Sequence, residues 1–277
     1  MRWVGFDMDE CVGSVMPLYS FITRLPVLYS EARPEEPTEA AWTLLQRALV
    51  RSELSGKTWL LRPAVINALD VLYKAWRAGK IQGTFLYSNN GSERLVRFVG
   101  FLLNGILALK RGDKNARLFQ MGIHLKAPCR TQGSTDKTFA DIQACLSAHG
   151  LPQASSADDL LFFDDLTHVL TREIPHYVQV RPYMNQTSVY SLLEVLDFFR
   201  PIVGETAFKA VFMEAARDQM DDMERDGQKI LVPPTVDEMR ADSAMFHDAF
   251  RRFFRVTQGG GRTRRRRRMR RHSKNIH

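Results

Sequence analysis

The chain has 277 residues, of which 44% are hydrophobic and 25% charged, a balance that excludes fibrous and disordered classes and suits one domain of ordinary size with appendages. The net charge of +8 is confined to one end. Arg262, Arg264 to Arg268, Arg270, Arg271 and Lys274 stand in a stretch without acids, so residues 1–261 are nearly neutral and general basicity does not describe the body of the protein.

In chain order, the first predicted element is a short buried strand, Trp3-Val4-Gly5-Phe6, running straight into Asp7-Met8-Asp9. Residues 14–57 read as two helical stretches around the loop Arg33-Pro34-Glu35-Glu36-Pro37, the second with Ala41, Leu44, Leu45, Ala48 and Leu49 on one face. A helix follows Arg62-Pro63 and stops at Gly79. A second strand, Gly83 to Tyr87, ends in Ser88-Asn89-Asn90-Gly91, and residues 92–109 return to helical spacing. A third strand is predicted over Arg117 to Gly122, a helix from about Asp136 to His149, a fourth strand over Leu160 to Phe163 ending in Asp164-Asp165, and a fifth over Tyr177 to Val180. Strands alternating with helices at this spacing predict an α/β fold, a Rossmann-like parallel sheet with helices on both faces. Beyond Pro201 the pattern is helical, with aromatic faces over 205–226 and 235–256 that suit docking on a core. Gly259-Gly260-Gly261 predicts a hinge before a disordered basic tail, residues 258–277. The expected organisation is a catalytic domain over 1–200 with a small helical, cap-like insertion at 14–57, then a helical extension over 201–257.

The chemistry-bearing residues fall in one order. Asp7 and Asp9 follow the first strand, Ser88 and Asn89 the second, Lys137 opens the helix before the fourth, and Asp164 and Asp165 follow the fourth. Ligands of a doubly wound sheet bind in the crevice at such strand ends. Carboxylates converging there repel one another unless a cation sits among them, and hard oxygen ligands favour Mg²⁺. A serine hydroxyl and a lysine beside a metal-clamped carboxylate suit a phosphoryl group, which a carboxylate can attack while a second carboxylate handles protons.

These motifs, Val4-Gly5-Phe6-Asp7-Met8-Asp9, Tyr87-Ser88-Asn89, Lys137 and Phe162-Phe163-Asp164-Asp165, resemble those of the haloacid-dehalogenase-like hydrolase superfamily. Within it, Asp9-Glu10, Leu61-Arg62-Pro63 and Val178 to Tyr183 look like the branch that holds the phosphatases of the RNA polymerase II carboxy-terminal domain (the NLI-interacting-factor-like branch). The resemblance covers residues 1–200 and implies strand order 5-4-1-2-3. It implies Asp7 as nucleophile and Asp9 as general acid/base, with Ser88, Asn89 and Lys137 binding phosphate and Lys137 also serving catalysis. Asp7, Asp9 (through its carbonyl) and Asp164 or Asp165 would hold Mg²⁺. The implied activity is a Mg²⁺-dependent phosphomonoester phosphatase working through an aspartyl phosphate, on a phosphoprotein or a nucleic-acid end. The sequence departs from the pattern at Cys11, where Thr or Val is usual, and at Ser88-Asn89, where the branch has Thr-Ala. Lys126 competes with Lys137 for the lysine position.

Alone, each motif has a plainer explanation as a helix cap, turn or solvated side chain, and their conjunction is the specific signal. Ser55-Gly56-Lys57-Thr58 imitates the end of a phosphate-binding loop but lacks the earlier glycine and a preceding strand. The eight arginines and one lysine within 262–277 predict binding to nucleic acid, or to a nuclear-import carrier, through phosphate contacts or basic-address recognition. A phosphatase-like fold retained as an interaction module, with this tail as its functional part, is the competing expectation. Cys11, Cys129 and Cys145 are odd in number and far apart, which predicts no disulfide framework and, without a CxxC, no zinc set. Acids appear before any apolar leader matures, and Val99 to Leu109 is too short to span a bilayer. The expectation is an intracellular protein without a membrane span, nuclear or nucleic-acid-associated if the tail directs it.

Overall fold

The computed structural model describes residues 1–37, 39–226 and 231–272, with side chains at 225–226 and 256–272 outside the description. Strands β1 (Trp3–Asp7), β2 (Gly83–Tyr87), β3 (Phe119–Ile123), β4 (Leu160–Asp164) and β5 (His176–Gln179) pair in parallel in the order β3-β2-β1-β4-β5. Read from the other edge, this is the expected 5-4-1-2-3. Every residue of β1, β2 and β4 is buried, as parallel strands covered on both faces must be. That is why they read as apolar runs rather than as alternating patterns. Gly5 has a steric cause: a Cβ there would lie 2.5 Å from the rings of both Phe85 and Phe162, which meet across β1.

Helices α1 (Tyr19–Ala32), α2 (Glu39–Leu54) and α3 (Pro63–Arg77) connect β1 to β2. Helix α4 (Glu93–Arg111) connects β2 to β3, and α5 (Phe139–Ala148) connects β3 to β4. The short α6 (Leu170–Glu173) precedes β5, after which come α7 (Val189–Leu196), the short α8 (Arg200–Val203), α9 (Glu205–Asp226) and α10 (Val236–His272). Local chemistry sets several ends. Pro63 starts α3, the Ser92 hydroxyl accepts the Leu95 N–H at the head of α4, and Gly112 closes α4 in the left-handed region at φ 63°.

On one face of the sheet, Phe6 stacks on Phe163 at 5.1 Å and Phe163 on Phe246 of α10 at 4.6 Å. Phe208 of α9, Phe250 and Phe253 of α10, and Phe21, Leu25, Leu45 and Leu49 of α1 and α2 join that core. The residues expected as an insertion and as an extension therefore bury their apolar faces with the sheet. On the other face, Trp3, Phe85, Tyr87 and Phe162 pack with Ile142, Cys145 and Leu146 of α5. Helix α10 runs across Gly259 to Gly261, where a hinge is expected. The expected Arg-rich tail falls on residues whose side chains, and at 273–277 whose backbone, lie outside the described residues. Among the described residues no helix is long and apolar enough to cross a membrane.

The cysteine expectation needs correction: Cys129 and Cys145 form a disulfide, with Cα atoms 4.9 Å apart, and only Cys11 is free. The segment after β3 doubles back on α5, where Asp141 Oδ1 accepts the Thr131 N–H at 2.9 Å and its hydroxyl at 2.8 Å. Sequence spacing gives no sign of that return. Closing a loop over a sequence separation of 16 restricts the unfolded chain by about 3 kcal/mol. Calorimetry on the protein with and without a dithiol should show the thermal midpoint falling by several degrees on reduction, and an unchanged midpoint would contradict this account.

Candidate functional site

Parallel pairing brings the ends of β1 and β4 side by side, with Phe6 opposite Phe163, so Asp7 and Asp164 emerge together at the carboxyl edge of the sheet. The chain then bends sharply. Glu10 has φ 59°, in the left-handed region that non-glycine residues seldom occupy, and the Val12 N–H donates to the Met8 carbonyl at 3.2 Å. Gly13 seals the bend, since a Cβ there would lie 2.0 Å from the Leu60 carbonyl oxygen.

Arg62 holds this bend from beneath and is fully buried. Its Nε donates to the Cys11 carbonyl at 2.9 Å, and one terminal nitrogen donates to the carbonyls of Glu10 at 2.8 Å and Arg181 at 2.5 Å. The other terminal nitrogen pairs with Asp242 of α10 at 2.9 Å. The Tyr183 N–H also donates to the Glu10 carbonyl, at 2.6 Å. Thus the motif Leu61-Arg62-Pro63 and the C-terminal helix fix the backbone immediately after Asp7.

Lys137 lies at the centre of the site. Its ammonium is 2.6 Å from Asp7 Oδ1 and 2.8 Å from Asp164 Oδ2, with the side chain 1% exposed. It does not open a helix as expected: it stands one residue before Thr138, the N-cap of α5. Lys126, the competing lysine, is exposed, with its stem near Gly91. The other carboxylate of the Asp-x-Asp pair is held separately. Asp9 Oδ2 accepts the Ser88 hydroxyl at 2.8 Å, and Ser88 Oγ in turn accepts the Asn90 N–H at 2.8 Å.

Electrostatics sharpen the arrangement. Burial pushes Asp7 well above the usual carboxylate range, against the lowering effect of Lys137, and the charges of Asp164 and Asp9 push the same way as burial. Burial also raises Asp165. For Lys137 burial acts downward, but Asp7 and Asp164 outweigh it and keep the ammonium charged. Burial pushes the Cys11 thiol well up, so Cys11 is a packed small residue rather than a reactive thiolate.

Carboxylate oxygens of Asp7, Asp164 and Asp165 lie within 4.8 Å of one another, and all three residues are buried. One ammonium does not balance three carboxylates, and Asp165 Oδ1 is buried without a hydrogen-bond partner among the described residues. A divalent cation with a preference for hard oxygen fits this set, which makes Mg²⁺ compatible with the donors present. The Asp9 carboxylate is outside the set, and its carbonyl accepts the Cys11 N–H at 2.7 Å.

Sequence reasoning did not assign a part to three residues near the site. Arg62 lies in the Leu61-Arg62-Pro63 motif, which by itself gives it no role. Arg130 donates to the Ser88 carbonyl at 3.1 Å and to Asn89 Oδ1 at 2.6 Å, and carried no spacing signal at all. His168 brings its Nε2 within 3.8 Å of Asp164, with burial lowering its pKa toward the neutral form. Its position four residues after Asp164 was the available cue. A groove of about 710 Å³ between α2 and α4, lined by Glu39, Trp42, Arg94 and Phe101 among others, includes none of these carboxylates.

No family model, no curated protein and no solved structure matches the chain. Fold and site define its class: an α/β protein with a five-stranded parallel sheet and a buried three-aspartate cluster at the carboxyl edge that could hold a metal ion.

Glu53 supports the site from the opposite side of the Arg62 segment. Its buried carboxylate accepts the Leu60 and Leu61 N–H groups at 3.0 and 3.1 Å, and burial pushes its pKa up to about 7 from 4.5. A folded-state pKa above the unfolded one stabilises the protein at low pH and loses that contribution as pH rises through 7. Denaturant unfolding of the parent and Glu53→Gln across this range should show the parent losing about 3 kcal/mol relative to the variant between pH 4.5 and pH 8. Parallel pH profiles would contradict the assignment.

Proposed function

We propose that the protein is a haloacid-dehalogenase-like phosphatase, akin to the branch acting on the RNA polymerase II carboxy-terminal domain, that hydrolyses phosphomonoesters through an aspartyl phosphate on Asp7. The observation that carries this reading is the bridge of Lys137 between Asp7 and Asp164, at the end of β1, beside the separate Asp9–Ser88 hydrogen bond. The ammonium orients Asp7 and favours its ionised form against the burial that raises its pKa, while Asp9 has a hydroxyl partner in Ser88 and can exchange a proton.

In the first step an Asp7 oxygen forms a bond to phosphorus and the bond from phosphorus to the leaving oxygen breaks, with protonated Asp9 delivering its proton to that oxygen. In the second step Asp9 accepts a proton from water, whose oxygen bonds to phosphorus as the Asp7–phosphorus bond breaks. Ser88, Asn89 and Lys137 orient the phosphoryl oxygens. Mg²⁺, held by Asp7, Asp164, Asp165 and the Asp9 carbonyl, would supply neutralisation of phosphoryl charge. Arg62 keeps the bend after Asp7 from relaxing and so fixes where Asp9 stands relative to the nucleophile.

The substrate class proposed is a macromolecular phosphomonoester, a phosphoprotein or a nucleic-acid end. The nine basic residues within 262–277 support it, since such a run attaches to polyanions through phosphate contacts and raises the local concentration of a tethered substrate.

Hydrolysis of p-nitrophenyl phosphate by the purified full chain should require Mg²⁺ and fall by about a thousandfold or more in Asp7→Asn, which keeps the shape and removes the anion. Equal rates in parent and variant, or indifference to chelation, would refute the assignment.

A further inference from the structure

Among the described residues at the site, Arg130 is a strongly basic group to which the proposed chemistry gives no part. It is 2% exposed, and its guanidinium carbon lies 4.8 Å from the centre of the Tyr87 ring. One terminal nitrogen donates to the Ser88 carbonyl at 3.1 Å, and the other donates to Asn89 Oδ1 at 2.6 Å and to the Asp136 carbonyl at 3.1 Å. Every one of these acceptors is neutral. Nε has no hydrogen-bond partner, and no carboxylate forms an ion pair with Arg130 among the described residues. A buried guanidinium without an anionic partner is costly, so it requires a fold that holds it in place. The fold does hold it. Its neighbours on either side are tied to α5, Cys129 through the disulfide to Cys145 and Thr131 through Asp141.

The three acceptors share a meaning. They belong to Ser88, to Asn89 and to the residue preceding Lys137, so a single planar fork spans the two separate segments that carry the groups assigned to phosphate. The bond to Asn89 also sets the direction of its amide. The oxygen is occupied by the guanidinium, so the NH₂ group lies on the far side of the amide; the flipped amide would face donor to donor. Asn89 is thereby presented as a donor, the form an oxyanion requires.

Resting on the phosphatase reading, we propose that Arg130 is the positioning residue of the phosphate-binding half of the site: it locks the 88–89 and 136–137 segments together and turns the Asn89 NH₂ toward a phosphomonoester dianion, whose charge offsets its own. Lysine cannot replace it fully, because an ammonium lacks the planar fork that reaches all three acceptors.

The test uses the full chain with Mg²⁺ and inorganic phosphate as the probe, read by calorimetric titration, with KM and kcat for p-nitrophenyl phosphate measured alongside. Arg130→Gln should weaken phosphate binding and raise KM by about tenfold, the loss expected when a charge-assisted hydrogen bond to the ligand is misdirected. Arg130→Lys should fall between the two. Asn89→Ala combined with Arg130→Gln should be scarcely worse than Arg130→Gln alone, because the two act as one unit. A merely structural Arg130 would lower the thermal midpoint and leave phosphate affinity and KM of the folded protein unchanged, which overturns the proposal, as would additive losses in the double variant. If Arg130→Gln does not fold, the cycle of Arg130→Lys with Asn89→Ala gives the same comparison. A parent protein that binds no phosphate and hydrolyses no ester would instead bring down the phosphatase reading, and this inference with it.

Discussion

Three buried carboxylates meet at the ends of two adjacent parallel strands, and the ammonium of Lys137 stands against two of them. Like charges about 4 Å apart repel by roughly 4 kcal/mol at the effective dielectric of a protein interior near its surface, and that repulsion accumulates over each pair. The bridge from Lys137 to Asp7 and Asp164 offsets part of it and does not reach Asp165 by an ion pair among the described residues. Much of the surrounding structure keeps that arrangement in place: the parallel register of β1 and β4, the cap of α5, and the disulfide that fastens the approach to Lys137. A cluster so organised is stable enough to fold and still electrostatically incomplete, which is the condition in which a cation binds.

The second constraint is geometric. A strand carrying Asp7 and Asp9 in extended conformation would keep both side chains on one face but would not end. The bend at Glu10 takes the chain out of the sheet, and it survives because Arg62, Tyr183 and the Leu60 carbonyl hold its exposed backbone groups. Asp242 completes the support from α10, so the C-terminal helix contributes to the position of Asp9 although it carries none of the cluster. This links the sheet's aromatic core, through Phe163 and Phe246, to the aspartate cluster at its edge.

Much of this was legible in the sequence for identifiable reasons. Parallel strands covered on both sides appear as short apolar runs, and their polar terminators, Asp7, Ser88 and Asp164, mark the carboxyl edge directly. Helices α3 and α4 announced themselves through Pro63, Gly79 and a regular apolar face. What stayed hidden depends on returns of the chain that local pattern does not encode. Cys129 meets Cys145 because one loop reverses onto α5, Arg62 meets Asp242 across most of the sequence, and Arg130 spends its donors on carbonyls and an amide, which every residue or many could supply. In the sequence, Lys137 is preferred to Lys126 because it begins the predicted helix before the fourth strand. The structure places it before the N-cap instead, where the chain is still extended and the side chain can reach both aspartates.

On the proposed phosphatase reading, an Asp7 oxygen bonds to phosphorus in a covalent intermediate. Acid-quenched turnover of a phosphomonoester in Mg²⁺, followed by borohydride reduction and peptide mass spectrometry, tests it most directly, because an acyl phosphate is reduced to the alcohol while a free carboxylate is not. The account predicts homoserine in place of aspartate at position 7. Phosphate release with position 7 unmodified, or reduction at Asp9, Asp164 or Asp165 instead, would contradict it.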